Sequence, residues 1–188
     1  MIEVPAITTA RLILKPLELA DADAVQRVFP QWEIVRLMAS HILWPYPSDG
    51  ALTFVRDTAL PAMRAGQEWH WSIRPKESPM LLIGVISLMD KPDQPDDNRG
   101  FWLDPVWQKK GLMSEACVPV TKFWFETLRR PVLRAPKAIT NTPSRRISER
   151  MGMRIVKTEK RPYVSGILAA EIWEITREEW RDSGLVET

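Results

Sequence analysis

Two lysines, one glycine and the onset of a helical pattern meet in WQKKGLMSEA, Trp107 to Ala116. A helix N-terminus carries unpaired N–H groups and the positive end of the helix dipole, so anions bind there readily. Gly111 lacks a Cβ, which admits unusual dihedrals and lets a ligand approach the backbone. Lys109 and Lys110 add positive charge. Together these features fit a pyrophosphate, and they also fit an ordinary surface turn ahead of a helix. The loop matches neither G-x-x-x-x-G-K-[ST] nor G-x-G-x-x-G, which sets aside a P-loop and a dinucleotide fold. Cys117, the single cysteine, falls inside the predicted helix and reads as inert core. One cysteine leaves no internal disulfide and no cysteine-based zinc site.

The elements that must position this loop are legible from periodicity. RLILKP, Arg11 to Pro16, alternates as a first strand, and Asp21 opens a helix through Phe29. SHILWPYPSDG, Ser40 to Gly50, reads as a loop, followed by a helix that stops at Gly66. Trp69 to Pro75, Leu81 to Asp90 and Arg99 to Pro105 read as strands, the second apolar enough to be buried on both faces. After the glycine loop come a helix to about Leu128, a strand from Val132 to Ile139 and a helix from Pro143 to Met151 closed by Gly152. Two last strands and a short helix, TREEW, complete the order. Consecutive strands favour antiparallel pairing, whereas the strand–helix–strand unit around the loop asks for parallel neighbours with a right-handed crossover.

Composition narrows the class. The 188 residues suit one domain, and 45% apolar with 27% charged residues is the balance of an ordinary soluble globular protein. A net charge of +2 argues against a dedicated nucleic-acid or membrane-surface binder. The sequence shows neither an apolar run of membrane-spanning length nor a signal-peptide h-region, so the cytoplasm is the expected compartment. Nine tryptophans point to an aromatic-rich core or cleft, the core being the safer reading for most of them.

The run GFWLDPVWQKKGLMSEA, Gly100 to Ala116, resembles the acetyl-CoA motif of the GNAT superfamily of N-acetyltransferases, closest to the ribosomal-protein N-terminal (serine/alanine) acetyltransferases. ITNTPSRRISERMGM, Ile139 to Met153, is similar to the family's second motif, and TARLILKPLELADADAV and EIWEITREEW to its first and last strand–helix units. The resemblance implies an α+β fold: a mixed, mostly antiparallel sheet of six to seven strands flanked by helices on both faces. It spans residues 8–180 as one domain, with 181–188 as a tail. Three departures stand out. Met113 occupies a place where small residues are commonest, so its side chain must turn away from the phosphates. Pro119 lies inside the helix and calls for a kink or a widened turn. Asp97, Asn98 and Arg99 stand near the point where many relatives carry a glutamate.

By that resemblance, the amides of Gln108, Lys109, Lys110, Gly111, Leu112 and Met113 hold the pyrophosphate, and Ser114 adds a hydroxyl. Trp102 and Leu103 lie on the strand that pairs with the pantetheine arm, where an N–H polarises the thioester carbonyl. The Trp102 side chain itself reads as core packing. Asn141 bonds the cofactor or an ordered water, and Arg146 offers a cation to the 3′-phosphate. Ser144 is the candidate proton donor to the departing thiolate; it reads equally as a helix-capping residue.

The attacking amine must be neutral. A lysine amine, with a pKa of about 10.4, costs roughly 4–5 kcal/mol to deprotonate at neutral pH, an α-amine only about 1. A weak base therefore suffices for an N-terminus. Glu159 is the first candidate, with Asp97, His70 and Glu171 behind it and Tyr163 as an alternative acid. His41, Trp44 and Tyr46 line the loop where the acceptor enters, with His70 nearby. The implied protein is an acetyl-CoA-dependent N-acetyltransferase without a metal, acting by direct attack in a ternary complex on a protein N-terminus or a small amine. Homodimerisation follows from the resemblance alone. A non-catalytic acyl-CoA binder and a nucleic-acid module using Arg145, Arg146, Arg150 and Arg154 are the competing classes.

Overall fold

The computed structural model describes residues 2–185. Residues 186–188 of the expected tail lie outside the described residues. The chain runs β1 (Ile7–Thr8), β2 (Leu12–Pro16), α1 (Ala22–Val28), α2 (Trp32–Val35), α3 (Gly50–Thr53), α4 (Leu60–Ala65), β3 (Glu68–Pro75), β4 (Gly84–Met89), β5 (Arg99–Leu103), α5 (Leu112–Lys122), β6 (Val132–Ala138), α6 (Thr142–Arg150), β7 (Arg154–Tyr163), β8 (Gly166–Thr176) and α7 (Arg177–Asp182). β1 to β5 form one antiparallel sheet in sequence order, and β6, β8 and β7 a second.

Alternation in β3 decides which helices cover which face. Trp69, Trp71 and Ile73 point one way, into a core shared with Cys117, Val120, Phe123 and Trp124 of α5 and its continuation. Glu68, His70, Ser72 and Arg74 point the other way and are buried as well. Their face is covered by Val25 of α1, Ala51 of α3 and Val55 and Ala59 beyond it. Buried polar groups need partners. Arg74 pairs with Asp21 and also donates to the Met80 carbonyl at 3.1 Å. Asp21 stands at the N-cap position of α1 as expected, but its side chain makes no cap bond to that helix; it pairs with Arg74 and accepts from the Glu18 N–H at 3.2 Å.

Both helix interruptions have local causes. Between α3 and α4 the turns widen to a π-helix over Phe54–Ala59, just ahead of Pro61, whose ring and missing N–H disturb regular α-geometry. α5 passes Pro119 as α-helix and widens to a π-turn only at Phe123–Thr127. The widened turn expected from Pro119 therefore lies one turn downstream.

Antiparallel order and helices on both faces agree with the expected fold. The finer difference is a division into two sheets with eight strands. β1 is two residues long, too short to leave a period. β5 and β6, joined by the α5 crossover, lie side by side without a ladder. Their one backbone link among the described residues is at Asn98, whose N–H donates to the Arg134 carbonyl at 2.8 Å. The Asn98 Oδ1 accepts from the Arg134 N–H, also at 2.8 Å, and its Nδ2 donates to the Met89 carbonyl at 3.2 Å. The side-chain amide thus replaces on β4 the main-chain donor that Asn98 has given to β6. Beyond that stitch, β5 and β6 leave a wedge. Replacing Asn98 with Ala strands the Met89 carbonyl and the Arg134 N–H, so we expect a loss of about 2–3 kcal/mol, read as a lowered urea midpoint at unchanged m-value.

Candidate acetyl-CoA and acceptor site

Two hydrogen bonds set which β5 groups face the wedge. Met89 N–H donates to the Asn98 carbonyl at 2.9 Å, and Asp104 N–H to the Ile83 carbonyl at 2.8 Å. In an antiparallel ladder that phase turns the backbone groups of Gly100 and Trp102 toward β4, and those of Phe101 and Leu103 away from it. Trp102 is therefore corrected as a backbone contact: its N–H belongs to the β4 ladder, and Phe101 takes its place. The Trp102 ring packs 5.2 Å from Phe29 between centroids, as core. The β4–β5 approach is close enough that a Cβ at Gly84 would lie 2.4 Å from the Trp102 carbonyl oxygen. The Leu103 carbonyl already accepts from Gln108 Nε2 at 2.8 Å.

The strand ends at a turn, Pro105–Trp107, and then at two left-handed residues: Lys109 at φ 62° and Gly111 at φ 77°. Gly111 is the N-cap of α5, so the amides of Leu112, Met113 and Ser114 have no carbonyl four residues back within the helix. The Gln108 amide is corrected out of the cradle, because it donates to the Pro105 carbonyl at 3.2 Å. The Met113 side chain is buried in the core, as the loop requires. Lys109 and Lys110 are exposed, and Lys110 Nζ sits 4.8 Å from the Trp107 ring centroid. Arg11 is a cation at this loop that sequence reasoning missed. It donates to the Lys110 carbonyl at 3.0 Å and pairs with Glu115 at 2.7 Å. Glu115 also accepts from Thr9 Oγ1 at 2.6 Å, which ties the chain before β2 to the first turn of α5. Burial alone would raise the Glu115 pKa; the hydrogen bonds from Thr9 and Arg11 outweigh it and hold the carboxyl below its ordinary value.

α6 supplies the second motif. The Asn141 Oδ1 accepts from Ser144 N–H at 3.3 Å as the N-cap, and its Nδ2 has no partner among the described residues. Ser144 Oγ accepts from Lys137 Nζ at 3.0 Å, and both residues are buried. Arg146 is exposed and makes no ion pair among the described residues. Arg145 instead pairs with Glu171 at 2.8 Å, and Arg154 with Glu174 and Glu179. Carboxylates thus pair two of the four arginines that a nucleic-acid reading needs, Arg145 on α6 and Arg154 on β7.

The acid and base candidates separate sharply. Glu159 is corrected as a base: Lys157 at 2.5 Å and Arg161 at 3.1 Å hold it ionised and below its ordinary pKa. Glu171 is bound to Arg145 and accepts from Trp173 Nε1 at 3.1 Å. His70 is buried against Glu68 at 2.5 Å on the α1–α4 face, with its Nδ1 unpartnered, and so is not a surface contact for an acceptor. Asp97 behaves differently. Burial raises its pKa, against the fields of Arg161, Lys137, Lys91 and His41. Burial likewise raises Tyr163, whose buried hydroxyl has no partner among the described residues and which feels the charge of Asp97. Across the entrance, Trp44 packs on Trp32 at 5.4 Å between centroids, both exposed, and His41 is exposed beside them. Tyr46 is turned inward on Phe29 at 5.1 Å, its hydroxyl pushed up to about 12 by burial. Cys117 is buried and its thiol is pushed up by burial, as inert core would be.

A glycine-opened helix facing a wedge with free strand edges is where the family model falls. Residues 11–154 match the acetyltransferase (GNAT) domain. The chain belongs to the GNAT acetyltransferases. It is an acyltransferase that takes acetyl-CoA as cosubstrate, and the unpaired α5 amides, Gly111 and two exposed lysines fit a pyrophosphate. No curated protein matches the sequence. Solved structures share the GNAT fold at low identity. The ribosomal-protein-S5-alanine acetyltransferase from Vibrio fischeri superposes with a TM-score of 0.79 at 13% identity, over 94% of this chain and 98% of that one. RimJ from Mycobacterium smegmatis, solved with a CoA-disulfide, gives 0.78 at 16% over 93% and 88%. RimL, a ribosomal L7/L12 α-N-protein acetyltransferase solved with CoA, gives 0.75 at 15% over 92% and 97%. Among the described residues no helix is long and apolar enough to cross a membrane.

Proposed function

We propose that this GNAT enzyme acetylates the α-amine of a protein or peptide N-terminus by direct attack, with Asp97 as the base. The geometry that carries the reading is the placement of Asp97: it is desolvated just ahead of β5, within the fields of Arg161 and Lys137 and in electrostatic reach of the orphaned Tyr163 hydroxyl, and burial raises its pKa. A carboxylate of raised pKa is a better proton acceptor than the ion-paired Glu159. An α-amine needs only about 1 kcal/mol of help at neutral pH, which such a base supplies directly or through water. The exposed Trp32–Trp44 pair and Leu43 offer an apolar surface for the residues behind that amine. Two solved neighbours are named as a ribosomal-protein-S5-alanine acetyltransferase and a ribosomal L7/L12 α-N-protein acetyltransferase, which supports a protein acceptor.

The cosubstrate supplies an activated acetyl thioester. The amides of Lys109 to Ser114 bind its pyrophosphate, Arg146 meets its 3′-phosphate, and the Phe101 and Leu103 edge orients its arm. Asp97 takes the amine proton, and Ser144 gives one to sulfur. The test is mass spectrometry of peptides with a free α-amine, with a blocked α-amine plus a lysine, and of small amines. Acetylation confined to the free α-amine is expected; acetylation of small amines alone moves the enzyme to the alternative acceptor class. Asp97→Asn lowers kcat on the preferred peptide about tenfold with the acetyl-CoA KM unchanged.

A further inference from the structure

We infer that Lys137, acting through its hydrogen bond to Ser144, delivers positive charge and a proton to the CoA sulfur as it departs, which makes it a positioning residue for the reaction proposed above. The inference rests on that reading and adds a residue that neither motif contains.

Lys137 lies on β6, the strand that walls the wedge opposite β5. Its Nζ donates to Ser144 Oγ at 3.0 Å and sits 5.1 Å from the ring centroid of Phe101, whose backbone lines the other wall. The residue is only 4% exposed. Among the described residues it has no carboxylate in ion-pair contact. A buried, uncompensated ammonium is costly, and its surroundings sharpen the cost. Arg99 from β5 is a second buried cation, held by Thr121 Oγ1 at 2.9 Å and by the sulfurs of Met151 and Met153. Cys117 of α5 faces Lys137 with a neutral thiol. Asp97, ahead of β5, is the nearest acidic influence, and Glu171, paired in register on β8, is taken by Arg145. Burial, with Arg99 second, pushes the Lys137 ammonium down to about 7, so it exchanges its proton at neutral pH. What this pocket lacks is an anion, and a thiolate at Ser144 is one.

The proton count closes. The acceptor nitrogen forms a bond to the acetyl carbon and loses one proton through Asp97 to solvent. The C–S bond breaks with its electron pair on sulfur. The Ser144 hydroxyl gives its proton to sulfur and takes one from the Lys137 ammonium, and one proton from solvent recharges Lys137. A purely structural role would be to anchor α6 by the same hydrogen bond. Gln separates the two, because Lys137→Gln keeps an N–H donor and removes the charge, whereas Lys137→Met removes both.

The experiment titrates the thiol of CoA bound to the enzyme, read by thiolate ultraviolet absorbance, in wild type, Lys137→Met and Lys137→Gln. It needs no acceptor. A nearby cation lowers a thiol pKa, so the wild-type complex is expected to hold about ten times more thiolate at a given pH than either variant, with CoA affinity changed less than about threefold. kcat for acetyl transfer is expected to fall about tenfold in both variants. Equal thiol titration in wild type and Lys137→Met, or wild-type behaviour of Lys137→Gln, overturns the inference and leaves the transferase reading standing. Failure of folded wild type to bind CoA overturns both.

Discussion

Gly111→Glu abolishes acetyl-CoA binding at concentrations that saturate the wild type, a loss of at least about 100-fold, or about 2.7 kcal/mol. Two effects contribute. A left-handed residue other than glycine costs about 1–2 kcal/mol, and Gly111 sits at φ 77°. The carboxylate then stands at the helix N-terminus proposed to hold the pyrophosphate, and like charges about 5 Å apart at an effective dielectric of 20 repel by roughly 3 kcal/mol. Crowding is not the cause, because a Cβ there would meet only the Arg11 guanidinium at 3.5 Å. Arg11 is already held by Glu115, so it is poorly placed to neutralise the newcomer. Gly111→Ala isolates the backbone term and should weaken binding less than about tenfold. Calorimetry on both variants, with circular dichroism to confirm the fold, decides it; equal losses for Ala and Glu would mean that no anion is held there.

Lys137→Met stabilises the protein at pH 6–7, and the gain fades as pH rises toward 10. The sign follows from proton counts. The folded ammonium, near 7, binds its proton more weakly than the unfolded one at 10.5, so between those values the unfolded chain carries more protons and wild-type stability increases with pH. Below about 7 the full penalty is present. The separation corresponds to roughly 5 kcal/mol at 1.36 kcal/mol per pH unit, an upper limit that the lost Ser144 hydrogen bond reduces. Methionine has similar length and no charge. Urea midpoints of wild type and variant at pH 6, 8 and 10 check this; a constant difference across that range would mean Lys137 does not titrate in the folded protein.

Local signals carried most of the fold. Tryptophan alternation in β3, the stop at Gly66 and the glycine before α5 are each set by a few neighbouring residues, and these three lie where periodicity places them, whereas the short β1 and α2 left no readable period. Functions that depend on distant partners were less legible. Asp21 has the form of a helix cap, yet its partner Arg74 is far away in sequence, and only the folded sheet brings them together. Glu159 and Asp97 are indistinguishable as letters. Burial separates them, since one is flanked by two cations and the other is desolvated. Nothing in the strand Val132–Ile139 marks Lys137 out; the register of β6 and the approach of α6 turn it inward. The Phe101–Trp102 correction has the same origin, because one residue of ladder phase reverses which amides face the wedge.

The Asn98 stitch has a bearing on solubility. A strand edge with unmet N–H and C=O groups is a template on which another chain can add. β5 and β6 each leave such an edge, and a five-stranded and a three-stranded sheet built separately would both invite growth into fibrils. Because Asn98 pins one end of each strand to the other, the two open edges confront one another inside a single molecule. A foreign strand would have to enter between them, whereas a narrow, flexible thioester arm can do so. The opening proposed for the cosubstrate therefore shields the β5 and β6 edges from a neighbouring strand, while β1 and β7 remain the outer edges of their sheets.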